Sequence, residues 1–301
     1  MRIGLILVRH PATRYSPLMG RVTLLLKGWG AQVEIIEADE AITRLDGVRA
    51  DADLFVLKSG SELALTVAGI LHDRGARLLN PYPVALACRD KAVMTSRLAD
   101  AGLPVPDSWV TIRGDAVADL LPTGPIVVKP VRGSQGRGVR VFRDAEELAA
   151  DSGSGGQVLA DADGPLLVQR YHCPDGPDRK IYRIGDRVFG VLRPWPARDY
   201  TAKLGTPFQV PAEIARMAEV AGDALGIDLF GFDVIVSRGE PYIVDFSAFP
   251  GFKGVPDAEL RLADYIYGHV RDALPARILS PIRGPNLCGP VSSAPGASRS
   301  A

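Results

Sequence analysis

The chain has 301 residues, 47% of them apolar, and its 35 basic and 35 acidic side chains cancel. That length fills two or three cores, and zero net charge removes the field that draws a protein to nucleic acid or an anionic membrane. Three scattered cysteines, no C-x-x-C, and four histidines without ligand spacing exclude a disulfide scaffold and a zinc site and suit a reducing compartment.

Residues 2–8 form a continuous apolar run, the pattern of a strand buried on both faces of a parallel sheet. Its apolar core, residues 3–7, is too short for a signal-peptide core or a membrane span, so a cytoplasmic protein is expected. Helical spacing follows over 16–28, then a strand at 33–37, a strand at 53–58, a helix at about 61–74 and a strand at 77–80. This rhythm predicts a small doubly wound α/β domain over 1–80, whose ligands would sit beyond the carboxyl ends of the strands. His10 and Arg14 after the first strand, and Lys58 after the third, are the candidate substrate contacts there.

Residues 81–101 read as a helix carrying Arg89-Asp90-Lys91, closed by Gly102-Leu103-Pro104-Val105-Pro106. Strands at 107–112 and 125–131 flank a short helix at 115–121. Between the second of these and a strand at 139–143 lies Arg132-Gly133-Ser134-Gln135-Gly136-Arg137-Gly138. Glycine this dense lets backbone N–H groups approach a phosphate chain, and Lys129, Arg132 and Arg137 add positive charge. The loop is neither a Walker A motif nor a Rossmann fingerprint, because a strand follows it and not a helix.

Strands at 166–171, 179–184 and 187–193, a helix at 211–225, a hairpin at 230–247 and a helix at 259–274 complete the body, about 81–275. Proline, glycine and serine make up about half of the residues from Ser280 onward, so a disordered tail is expected over about 276–301. The hairpin carries the most specific pattern. Alternation places Asp233, Asp245 and Ser247 on one face of two otherwise apolar strands. Three oxygen side chains there suit a hard cation such as Mg²⁺ or Mn²⁺, bound together with substrate phosphates.

In order, R-D-K at 89–91, A-G-L-P-V-P-D at 101–107, V-V-K-P at 127–130, G-S-Q-G-R-G-V at 133–139, V-Q-R-Y at 168–171, G-P-D-R-K-I-Y-R-I-G at 176–185, G-F-D at 231–233 and V-D-F-S at 244–247 resemble the ATP-grasp superfamily. The resemblance implies two α+β lobes, about 81–165 and 166–275, that clamp ATP and Mg²⁺ behind an N-terminal doubly wound domain. It implies that Lys91 and Lys129 are nucleotide lysines and that Ser134, Gln135 and Gly136 belong to a phosphate-covering loop. Gln169, Arg170 and Tyr171 would form the adenine hinge, Asp178 would hold the ribose or orient its basic neighbours, and Arg193 would reach the transferred phosphoryl group. Lys180 would join Arg193 in catalysis, and Asp233, Asp245 and Ser247 would be the metal triad. Asp245 stands where the family usually has Glu, Ser247 where it has Asn, and Arg170 where an acidic residue is common. D-F-S-A-F-P-G-F-K-G-V at 245–255 is also similar to a segment of the superfamily's inositol-polyphosphate kinases.

The leading expectation is an ATP- and Mg²⁺-dependent ligase that activates a carboxylate as an acyl phosphate and joins it to an amine of a small molecule or peptide. A small-molecule kinase and a non-catalytic ATP-binding module are the alternatives, and homo-oligomerisation is left open. The basic residues Arg9, His10, Arg14, Lys58, Arg193, Arg198 and Lys203 are too few and too scattered for a polyphosphate bowl, which favours a carboxylate substrate.

Overall fold

A computed structural model describes residues 1–8, 16–39, 44–133, 136–153, 164–194 and 204–272. His10, Arg14, Ser134, Gln135 and the tail expected to be disordered lie outside the described residues.

The first unit is an all-parallel sheet in the order β2-β1-β3-β4, built from Arg2–Leu7 (β1), Gln32–Glu37 (β2), Leu54–Lys58 (β3) and Leu78–Leu79 (β4). β1 and β3 are almost wholly buried because Pro17–Gly28 (α1) covers one face and Glu62–Asp73 (α2) the other. Ser16 and Ser61 start these helices, their hydroxyls accepting from the N–H groups of Met19 and Ala64. This is the doubly wound arrangement that the strand–helix rhythm predicts.

The single helix expected over 81–101 is two, Tyr82–Ala87 (α3) and Lys91–Asp100 (α4). Asp90 makes the break. Its carboxylate caps the N–H of Val93 at 3.0 Å, and a residue that caps a new helix does not continue the old one.

Next comes an antiparallel sheet in the order β5-β8-β6-β7, from Ser108–Thr111 (β5), Ile126–Pro130 (β6), Arg140–Phe142 (β7) and Leu166–Arg170 (β8). A 3-10 helix, Asp115–Thr123, and Ala145–Gly153 (α5) cover one face. They enclose a core of their own, among it Val117, Leu121, Ile126, Phe142, Leu148 and Val168.

The third sheet is antiparallel in the order β11-β10-β9-β12-β13: Asp178–Ile184 (β9), Arg187–Arg193 (β10), Thr206–Phe208 (β11), Leu229–Ser237 (β12) and Glu240–Ser247 (β13). β11 is not predicted from sequence; three residues with a central proline carry no readable alternation. One face buries Phe230, Phe232 and Phe246 against α4 and Ala212–Leu225 (α6), with Phe230 and Phe246 stacked at 5.1 Å between ring centroids. On the other face Tyr182, Leu229 and Phe252 join Ala258–Arg271 (α7), α1 and the β1 residues Ile3 and Leu5 in one continuous cluster. Among the described residues no helix is long and apolar enough to cross a membrane.

Candidate active site

The hairpin of β12 and β13 sets the site. From its turn the register runs Ser237↔Glu240 to Val234↔Ile243 and then slips by one, so that Asp233 faces Asp245 and Gly231 faces Ser247. A regular ladder would have put Val244 opposite Asp233. Instead Val244 is the extra residue of a β-bulge, which aims the next carboxylate at its partner. The Val244 carbonyl accepts a hydrogen bond from Lys129 Nζ at 2.9 Å. Gly231 is obligatory here, since a Cβ would stand 2.8 Å from the Ile181 carbonyl and 2.9 Å from the Tyr182 ring.

On the same face four charged side chains close into a chain. Lys180, the register partner of Asp233, donates to its Oδ2 at 3.0 Å. Arg193 donates to Asp233 Oδ1 and, at 2.8 Å, to Asp178 Oδ2. Two cations thus balance two carboxylates in a largely buried setting. Burial, and then repulsion from Asp233, push the Asp178 carboxyl up to about 6 against the pull of Arg193. Burial alone would lower the Arg193 pKa, but Asp233 and Asp178 more than offset it and raise it. Among the described residues the buried Arg193 Nε has no partner.

Asp245 differs. It is exposed, and among the described residues its carboxylate makes no hydrogen bond or ion pair. Two lysines approach it. Lys129 is buried at 7% exposure, and that burial brings its ammonium down to about 8 although Asp245 and Asp233 oppose the change. Lys91, the first residue of α4, is also lowered by burial and supported by Asp245, and its Nζ donates to the Gly133 carbonyl at 2.8 Å. A crevice lined by Cys88, Lys91, Thr95, Val244 and Asp245 runs between α4 and β13. Among the described residues no three His, Cys, Asp or Glu side chains cluster as a metal site; the candidate set is two carboxylates and a hydroxyl.

Gly136 is in the left-handed region at φ +72°, as is Gly138 at +71°, where a Cβ would strike Pro130. Near the end of β8, buried Gln169 donates through Nε2 to Ser108 Oγ at 3.0 Å. Arg170 turns away. Its guanidinium donates to the Gly124 and Leu120 carbonyls and to Thr123 Oγ1 and lies over the Trp109 ring, so it closes the end of the 3-10 helix. Tyr171 gives its N–H to the Pro125 carbonyl, and its hydroxyl pKa is raised by burial and by Cys173. His172 stacks on Tyr242 at 3.9 Å, a pair that sequence spacing does not reveal. Lys58 is half-buried, its Nζ donates to the Phe249 carbonyl at 2.8 Å, and desolvation brings its pKa to about 8. It ties β3 to the segment after Ser247.

An inositol 1,3,4-trisphosphate 5/6-kinase ATP-grasp domain model matches residues 199–268. A probable α-L-glutamate ligase of Klebsiella pneumoniae is 30% identical over 220 residues, 67% of this chain and 71% of the relative. The crystal structure of a D-cycloserine synthetase superposes with a TM-score of 0.70 at 16% identity, covering 90% of this chain and all of the other. A RiPP-associated ATP-grasp ligase of Chryseobacterium gregarium, solved with ADP and a leader and core peptide, gives 0.65 at 18% identity over 91% and 98% of the two chains. With the ordered motifs, the clamp of two antiparallel sheets and a relative this similar over most of its length, the chain belongs to the ATP-grasp superfamily and is an ATP-dependent carboxylate–amine ligase.

Proposed function

We propose that the ligase takes an amino acid of the glutamate class as one substrate and a small-molecule or peptide partner as the other, with the chemistry at the face shared by Asp233 and Asp245. The observation that carries the reading is the bulge that aligns those carboxylates beside a charge-balanced Asp178–Arg193–Asp233–Lys180 chain. The glutamate class is supported by the name of the Klebsiella relative, and the alternative partner chemistries by the two structural neighbours.

The donor set fits Mg²⁺: all oxygen, two carboxylates and the Ser247 hydroxyl. Asp245 has open oxygens, whereas both Asp233 oxygens already accept from Lys180 and Arg193, so Asp245 is the main ligand. When bound, the metal neutralises phosphate charge.

Lys91 and Lys129 serve the phosphates of ATP, with the backbone of Gly133 and Gly136 beside them and Gln169 and the Tyr171 backbone beside the base. The substrate carboxylate attacks the γ-phosphorus and ADP leaves. The amine then adds to the acyl phosphate, and phosphate departs with the electron pair of the broken C–O bond as the amine loses its proton. Arg193, held by two carboxylates, steadies the oxyanion of that addition. Asp178 orients Arg193 and so acts at one remove.

The test is hydroxylamine trapping with ATP and L-glutamate or other acids: a hydroxamate with equimolar ADP is expected. Transfer of labelled γ-phosphate to a stable phosphoester without hydroxamate from any acid would instead support the kinase suggested by the domain model over residues 199–268.

A further inference from the structure

Arg89 sits in the three-residue break between α3 and α4. Its Nε is buried without a hydrogen-bond partner, and among the described residues its guanidinium makes no hydrogen bond or ion pair. Arg89 as a whole is half-buried and not sealed from solvent. A half-buried cation without an anion is costly, and the cost is tolerated where an anion arrives during function.

Its surroundings say which anion. Gly60, beyond the end of β3, leaves the space that the guanidinium uses; a Cβ there would lie 2.9 Å from Nη1. The Ala248 backbone lies beside the neighbouring Cys88 sulfur, where its N–H favours the thiolate. Asn80 Nδ2 donates to the Leu229 and Ala248 carbonyls, and Lys58 to that of Phe249. The segment leaving Ser247 is therefore pinned beside the point where Arg89 emerges. Lys91, two residues on, points instead to Gly133, so the phosphate side is already served. Arg89 looks toward the strand ends of the first sheet, where an open α/β sheet receives its ligand.

We propose that Arg89 receives a carboxylate of the amino-acid substrate, the one that takes no part in the new bond, in the notch between Gly60 and the segment after Ser247. The planar fork of arginine matches a carboxylate with two parallel hydrogen bonds, which a lysine cannot reproduce. This assignment rests on the ligase reading above and adds its substrate subsite.

The experiment uses the full chain with L-glutamate as probe. In the hydroxamate assay Arg89→Gln should raise KM for glutamate about 10- to 100-fold, the loss expected for a charged hydrogen bond, with KM for ATP unchanged. Arg89→Lys should recover only part. Gly60→Ala, which pushes the guanidinium aside, should raise the same KM without removing the charge, and it stands in if Arg89→Gln fails to fold. A readout independent of turnover is phenylglyoxal labelling: glutamate should slow labelling of Arg89 several-fold, and methylamine should not. Unchanged labelling with glutamate, or an unchanged glutamate KM in both Arg89→Gln and Gly60→Ala, overturns the assignment. Protection of Arg89 without hydroxamate from any acid would overturn the ligase reading and leave the subsite standing.

Discussion

Lys180 and Asp233 face each other as register partners on neighbouring strands, and their side chains meet at 3.0 Å. Each is mostly buried, and Arg193 takes the other oxygen of the carboxylate. Removing Asp233 alone strands Lys180, and leaves Arg193 with Asp178 as its one carboxylate, in a place that water reaches poorly. Asp233→Ala should therefore lower unfolding free energy by about 3–5 kcal/mol, read by urea denaturation. Adding Lys180→Met should return part of that loss, because one stranded charge is gone. A double mutant less stable than Asp233→Ala would mean that Lys180 is held by other forces.

Asp245 has no such duty. It is exposed, and among the described residues it has no hydrogen-bonding partner. Asp245→Asn should leave the melting temperature nearly unchanged while lowering ATP turnover by about 10²-fold or more, the scale of losing several kcal/mol of charge stabilisation. ADP release and a thermal melt on the same sample check both halves. Unimpaired turnover would remove Asp245 from the metal set.

ATP binding should take up protons near pH 8. The Lys129 ammonium has a pKa brought down to about 8 by burial, so at that pH the free protein carries it about half protonated. A polyphosphate beside it favours the charged form and raises the value. Affinity should accordingly fall as pH rises through 8. Calorimetry in buffers of differing ionisation heat measures the uptake, which Lys129→Met should abolish.

Lys58 predicts a slope in stability. Its folded value of about 8 lies below the ordinary lysine value of 10.5, so the contribution of this depressed group is complete above 10.5 and is lost as pH falls through 8. Relative to Lys58→Met, the wild type should gain roughly 2–4 kcal/mol between pH 7.5 and 10.5. Parallel stability curves across that window would show that the amine is better solvated than its position beside Phe249 implies.

Much of this was readable from residues alone because the informative segments are locally consistent. β12 and β13 alternate clearly, and Asp233, Asp245 and Ser247 were expected on one face. The bulge that puts Asp245 opposite Asp233 was not legible, because nothing in V-I-V-S-R-G-E-P-Y-I-V-D marks Val244 as the extra residue. Arg170 and Lys58 show a second limit. Both are cations at loop-side strand ends, the usual place for ligand contacts, and both donate to backbone carbonyls 46 and 191 residues away in sequence. Only the packed chain decides whether such a charge meets a ligand or a carbonyl. The Lys180–Asp233 and Arg193–Asp178 pairs were nearer to legibility, since both follow once the strand register is known.

The separate core beneath β5–β8 has a kinetic consequence. The first and third sheets share a continuous apolar cluster through α1 and α7, so they move as one body. The sheet carrying Lys129 and Gln169 encloses its own core, and among the described residues it meets the opposite side of the crevice through polar contacts that include Lys129 to Val244, the Lys91 ammonium to Gly133 and the Lys91 N–H to Val131. Breaking those is a small perturbation beside dissolving a packed interior, so this sheet is the part able to swing. The protein would then exchange ADP for ATP without unfolding anything, turnover being paced by how quickly these few polar contacts release.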